Sequence, residues 1–312
     1  MRMPGKKTRL AIVGVIVLLV GWLGSSGVMM WKLTCRSREA ATEPLPVVAW
    51  ANFEEHRLST TDGEQIGAWL IRREQPRGCV LVLHGNGGSR RSRLRTVQYI
   101  AGQQFNVLAI TLRAHGDSTG ELNDFGWSAR HDVIAAVDFL EQEFPDQPIF
   151  VVGRSLGAAA AIFAAESLGS RVRGYFLEQP YKDLDTALWN RLQIRLPPVL
   201  DWTAYQGMRL WAPCFLPVDA DEISPFRHAA AIPQDARVVV LAGADDQRVR
   251  LDETNLVFSQ VVTHGQLVIF PDAKHEQLMS ADPELYKRSL REFLSLAPAP
   301  PSPELPSQDS PP

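Results

Sequence analysis

The chain predicts an α/β fold: a mostly parallel eight-stranded sheet flanked by helices, with a small helical cap inserted in its second half. Three observations carry this. Short apolar runs alternate with helical patterns along most of the chain. Several of those runs are continuous rather than alternating, as expected where helices cover both faces of a parallel sheet. One long aromatic-rich stretch, 180–227, breaks the alternation and is too long for a simple connection.

Taken in order, the chain opens on a basic segment, 1–9, followed by an uncharged apolar run, 10–31, long enough to cross a bilayer as one helix. Arg2, Lys6, Lys7 and Arg9 precede the run; Lys32, Arg36 and Arg38 follow it. The slight basic excess before it favours an N-inside orientation, with the rest of the chain extracytoplasmic. A cleaved signal peptide is the rival reading, since Ser25-Ser26-Gly27 offers small residues, but the apolar run continues past them and favours an uncleaved membrane anchor. Cys35 is a poor lipidation site, because Lys32 stands where an apolar residue is wanted.

A linker, 32–51, leads to the folded domain, 52–296. Strands are predicted at 53–60, 65–71, 79–84, 106–111, 148–152, 173–177, 237–241 and 266–270. Thr61-Asp62-Gly63-Glu64 makes the first two an antiparallel hairpin at the sheet edge. Helices are predicted at 91–102, 127–144, 156–168, 252–262 and 283–296, and Val133, Ile134, Val137, Phe139 and Leu140 give the second an apolar side. The insertion 180–227 holds Trp189, Trp202, Tyr205, Trp211 and Phe215, too apolar for disorder, and reads as a cap. The Pro-rich tail 297–312 has little to bury and is predicted to be disordered or extended.

Composition removes other classes. A net charge of −3 without a basic stripe disfavours nucleic-acid binding. The three cysteines form no framework, Cys79 sits inside an apolar strand, and no C-x-x-C or metal-ligand spacing occurs. Neither a cofactor nor a metal is called for.

The chemistry centres on Gly153-Arg154-Ser155-Leu156-Gly157, between an apolar strand and a helix of small residues. The pentapeptide alone is weak evidence, but in strand–turn–helix context it is a nucleophile elbow, whose tight turn excludes side chains at both glycines and exposes the serine hydroxyl. A serine needs a base to take its proton, and the base needs a third group to hold its tautomer. Asp246 follows the strand 237–241 and His275 follows the strand 266–270, in the order nucleophile, acid, histidine. Asp245 competes for the acid role; adjacent loop carboxylates point in different directions, and Asp246 is preferred. An oxyanion hole needs two backbone N–H groups. Leu156, after the nucleophile, supplies one, and Asn86 in His84-Gly85-Asn86-Gly87-Gly88 the other. That Gly-rich turn is not followed by a phosphate-binding Gly-Lys-Ser/Thr, so a nucleotide reading is poor.

Leu83-His84-Gly85-Asn86-Gly87-Gly88, Arg113 to Gly120, Gly153 to Gly157, Leu177-Glu178-Gln179-Pro180-Tyr181, Gly243 to Val249 and His275 together resemble the α/β-hydrolase superfamily. The likeness is to its serine-hydrolase branch of membrane-anchored esterases and acyl-protein thioesterases, and covers about 52–296. Two departures lie outside the chemistry: Thr111-Leu112-Arg113-Ala114 where Asp-Tyr-Arg-Gly is common, and Arg250 where Pro is common. The resemblance implies a serine hydrolase that cleaves a carboxylic ester or thioester with an apolar acyl group, through an acyl-enzyme. The alternatives are a peptidase or amidase of the same fold, and a catalytically silent binding protein. The expected partners are a small-molecule or lipid-like acyl ester and the membrane.

Overall fold

The computed structural model describes residues 6–36, 42–275 and 278–295. All eight anticipated strands form, as β1 (Glu54–Ser59), β2 (Gln65–Ile71), β3 (Cys79–Leu83), β4 (Asn106–Ile110), β5 (Ile149–Arg154), β6 (Val172–Glu178), β7 (Arg237–Gly243) and β8 (Gly265–Phe270). The helices are α1 (Lys6–Thr34), α2 (Leu94–Gly102), α3 (Arg130–Glu143), α4 (Leu156–Leu168), α5 (Leu184–Arg195), α6 (Leu200–Phe215), α7 (Pro225–His228), α8 (Leu251–Ser259), α9 (Leu278–Ala281) and α10 (Pro283–Leu294). The Pro-rich tail lies outside the described residues.

The sheet runs β1-β2-β4-β3-β5-β6-β7-β8. β1 and β2 pair antiparallel, β2 pairs antiparallel with β4, and every later pair is parallel. Chain order reverses at β3, which lies between β4 and β5. Loops leaving β3 and β5 therefore diverge and open a crevice at the carboxyl edge, where open α/β sheets hold ligands. Leu83 is level with Gly153, so the Gly85 loop and the Ser155 turn start side by side.

Each sheet face buries a separate core. On one side Val133 and Val137 of α3 and the alanines of α4 pack on Leu81, Leu108, Val151 and Val240. The small residues of α4 let that helix lie close to the strands. On the other, Val97 and Ile100 of α2 and Tyr286, Leu290 and Phe293 of α10 cover Val80, Val107, Val152 and Val239. A third cluster belongs to the cap: Leu184, Leu188 and Leu192 of α5 and Met208 and Ala212 of α6, with Met30 of α1 among them.

The helix that holds the apolar run 10–31 extends from Lys6 to Thr34, and its last turns pack into the cap. Its anticipated length followed the uncharged run, whereas Lys32 continues the helix with its ammonium at an exposed position. The cap aromatics pack largely among themselves. Trp189 packs edge-on against Tyr205 with centroids 5.4 Å apart, Trp211 packs against Phe215 at 6.1 Å, and Trp202 is exposed.

Beneath the carboxyl edge lies a fully buried ion pair. Arg93, just before α2, reaches both oxygens of Glu178 at the end of β6, and the Tyr286 hydroxyl of α10 donates to Glu178 Oε1 at 2.6 Å. Removing one partner strands a charge in the interior, which costs more than the pair itself contributes. Arg93→Ala should therefore destabilise by about 3–5 kcal/mol and Tyr286→Phe by about 1–3 kcal/mol. Urea denaturation of the full chain in detergent micelles checks the ranking; equal losses would contradict it.

Candidate active site

Ser155 stands between β5 and α4 with φ 48° and ψ −109°, a region L-residues rarely occupy. The flanking glycines make the turn possible. A Cβ on Gly153 would lie 2.7 Å from the Gly157 carbonyl oxygen, and one on Gly157 would lie 2.7 Å from the His84 carbonyl oxygen. The turn is tied to the sheet by the Ser155 N–H, which donates to the Glu178 carbonyl at 2.8 Å. The hydroxyl-bearing residue is 5% exposed, because the cap lies over it.

His275 and Asp246 arrive from the loops after β8 and β7. The His275 Nδ1–H donates to Asp246 Oδ2 at 2.7 Å, which leaves Nε2 as the acceptor. Asp246 is buried and fully engaged: Oδ1 accepts the N–H groups of Arg248 and Val249 at 2.8 and 3.0 Å, and Oδ2 also accepts Gln179 Nε2 at 2.8 Å. Asp245 is exposed, and among the described residues no hydrogen bond joins its side chain to this network. Ser155 and His275 line one cavity; among the described residues no hydrogen bond joins them, and such contacts commonly tighten only around substrate.

Gln179 follows β6 with φ 50° and joins two loops, since its amide also donates to the Lys274 carbonyl at 2.8 Å. The sequence carried it only as part of a motif, without a role. A glutamine after a strand has no signature of its own; its use depends on the neighbouring ends of β7 and β8.

The Gly85 loop is pinned by two histidines. His84 Nε2 accepts the Leu112 N–H at 2.9 Å, so its Nδ1–H donates to the Gly85 carbonyl at 2.8 Å. His115 Nδ1–H donates to the Arg113 carbonyl at 2.8 Å and its Nε2 accepts the Gly87 N–H at 3.2 Å. Burial pushes both imidazoles down, His84 well below the ordinary 6.5, and their neutral forms are what these bonds require. Asn86 lines the cavity, its side-chain oxygen held by Asn123 Nδ2 at 2.8 Å. Leu156 is the first residue of α4, where N–H groups lack an intrahelical acceptor.

The cavity holds about 420 Å³. Its apolar wall is aliphatic: Leu188, Leu192 and Ile194 from α5, Met29 and Leu33 from α1. Its polar wall is cationic, with Lys32, Arg154, Arg191, Arg195 and Arg248. Among the described residues none of these five has a carboxylate in ion-pair contact, whereas the buried Arg90, Arg93 and Arg113 each do. Burial lowers the affinity of Arg154 and Arg191 for their protons. Among the described residues no His, Cys, Asp and Glu cluster fits a metal.

The comparisons with known proteins agree with this architecture. A family model described as serine aminopeptidase, S33, matches residues 74–212. The human protein ABHD12B is 26% identical over 69% of this chain and 60% of its own length. Human monoglyceride lipase is 31% identical over 34% of this chain and 35% of its own. The chain thus spans less than two thirds of the length of either relative. An esterase of Pyrococcus furiosus superposes with a TM-score of 0.65 at 22% identity, covering 82% of this chain and 97% of the esterase.

Burial depresses the His275 pKa below 6.5 and outweighs the opposing hydrogen bond from Asp246. In NMR of imidazole-labelled protein, the His275 signal should titrate with a midpoint below 6.5, and His84 should stay neutral wherever the protein is folded. A His275 midpoint above 7 would contradict this geometry.

Proposed function

We propose that this chain, a member of the α/β-hydrolase superfamily, is a serine hydrolase that cleaves carboxylic esters or thioesters of a single apolar acyl chain. The observation that carries this reading is the His275–Asp246 hydrogen bond at the mouth of the cavity that Ser155 floors. Ser155 is the nucleophile, His275 the general base and Asp246 the group that holds its tautomer; Asn86 and Leu156 offer N–H groups to the oxyanion.

In the first half-reaction Ser155 Oγ attacks the acyl carbonyl carbon, the carbonyl π pair moves onto oxygen, and His275 Nε2 takes the hydroxyl proton. The N–H groups of Asn86 and Leu156 stabilise the oxyanion. Collapse breaks the bond to the leaving alkoxide or thiolate, which takes the proton from His275. Water then attacks the acyl-enzyme, gives a proton to His275, and the second collapse returns that proton to Ser155 Oγ. The acid leaves.

The names of the relatives support this substrate class, with lipases of monoglycerides and of lysophosphatidylserine among them. The unpaired cations around the cavity favour an ester with an anionic group beside the acyl chain. The apolar helix α1, mostly exposed and the one helix among the described residues long and apolar enough to cross a bilayer, supports a membrane anchor. We take the folded domain to lie on the side opposite the N-terminus.

Ser155→Ala should abolish turnover of p-nitrophenyl esters with the fold retained, and Asp246→Asn should cost about 10³–10⁴-fold in kcat, far more than Asp245→Asn. Undiminished turnover by Ser155→Ala sinks the assignment, and the reverse order of the two Asn variants moves the acid role to Asp245. Since the base must be neutral and its pKa is depressed, kcat/KM should rise with pH, with a midpoint below 6.5, to a plateau. A peptide-amide substrate turned over faster than every ester would instead favour the aminopeptidase reading.

Matched monoacyl esters with glycerol or glycerol phosphate as head group test the cationic wall. The anionic ester should show the lower KM, and the gap should narrow as salt is raised from 10 to 500 mM, a range that shortens the Debye length from about 30 Å to about 4 Å. A lower KM for the neutral ester at every salt concentration would rule out a role for these cations.

A further inference from the structure

An anchor needs only to cross the bilayer, yet the second half of α1 is built into the domain. Where it crosses α6, both helices present small residues. A Cβ on Gly27 would lie 2.9 Å from the Trp211 indole, and one on Gly207 would lie 2.1 Å from Ser26 Oγ. Such close contact between backbones is how helices pack where lipid offers no hydrophobic driving force. Two indoles lock the crossing: Trp22 Nε1–H donates to the Thr203 carbonyl and Trp211 Nε1–H to the Leu23 carbonyl, each at 2.9 Å. Both close helical hydrogen bonds that an apolar setting strengthens.

The end of α1 is fastened on its other flank. Cys35 bridges to Leu122, the Arg36 N–H donates to the Glu121 carbonyl at 2.8 Å, and Arg36 Nη2 reaches the carbonyls of Gly116 and Ser118, also at 2.8 Å. The same loop carries Asn123, whose amide holds Asn86. Between these two attachments α1 turns Met29, Lys32 and Leu33 to the cavity that contains Ser155. Val28 points the other way and is 52% exposed.

We infer that the last two turns of α1 are a wall of the acyl-binding pocket, with Met29 and Leu33 in contact with the acyl chain of the bound ester. The anchor is thereby a determinant of chain-length specificity. This rests on the serine-hydrolase reading given above. It also makes α1 incompatible with removal as a leader, since its loss would open the cavity along one side. With Lys32 at the same rim, the ester is held with its chain against α1 and its polar end at the exit of the helix from the apolar layer.

The test uses the full chain in detergent micelles and an alkyl fluorophosphonate with a diazirine near the end of its chain. After labelling and illumination, peptide mass spectrometry should find phosphonate on Ser155 and cross-links at Met29 or Leu33. Labelled Ser155 with cross-links confined to α5 overturns the α1 wall and leaves the hydrolase reading standing. Absence of label on Ser155 overturns both. In a p-nitrophenyl ester series, Leu33→Trp should lower the decanoate-to-butyrate ratio of kcat/KM by about tenfold or more, roughly the worth of two methylenes, with the lipid-facing Val28→Trp leaving the ratio unchanged. Equal ratios in the two variants would refute the assignment.

Discussion

Ser155 can stand at the tip of β5 only because the chain reverses there within the space of two missing side chains. Gly153 faces the Gly157 carbonyl and Gly157 faces the carbonyl of His84, so the elbow and the loop after β3 are in van der Waals contact through backbone alone. That contact sets the spacing between the hydroxyl and the N–H groups of Asn86 and Leu156, and no later adjustment of side chains would restore it. The strained backbone of Ser155 costs of order 1–3 kcal/mol and persists because β5, β6 and α4 over-determine it. Both neighbours of the serine are therefore held by the sheet, and the proposed chemistry inherits the rigidity of its central strands.

Around that fixed point the polar groups divide into two kinds. Three buried arginines each meet a carboxylate: Arg93 with Glu178, Arg113 with Asp132, Arg90 with Asp117. These pairs join elements far apart in sequence and leave nothing for a ligand. Above the edge the balance is broken. Asp246 spends both oxygens on His275, Gln179 and two backbone N–H groups, and among the described residues Arg154, Arg191 and Arg248 line the cavity with no carboxylate in ion-pair contact. Half-buried Arg154 and Arg191, with only longer-range help from Asp246, would gain from an anionic group in the cavity.

How much of this was legible in the residues differs by element. Strands covered on both faces, such as Cys79–Leu83 and Asn106–Ile110, are continuous apolar runs and were readable nearly to the residue. So was the elbow, because its steric requirement is local and leaves two glycines as a trace. The Asp246–His275 pairing was readable as an order along the chain; its distance needed the structure. Gln179 was not readable as a clamp, since nothing local shows that β7 and β8 end beside it. The cap was the least legible part. Its aromatics mark an apolar insertion in sequence but not which of them pack on one another, and the aliphatic wall comes partly from α1, whose composition announced a membrane and nothing else.

The packing of α1 on α6 sets a condition on biogenesis. Trp22 bonds to a residue 181 positions later and Trp211 to one 188 positions earlier, so the first helix to be synthesised waits for α6 before its small-residue face is covered. Contacts of such separation form late, and the sheet, whose strands pair over shorter distances, has by then most of its frame. Closure of the cavity thus depends on contacts between segments far apart in sequence, and a chain whose sheet is complete but whose helix has missed its seat would lack one wall of it.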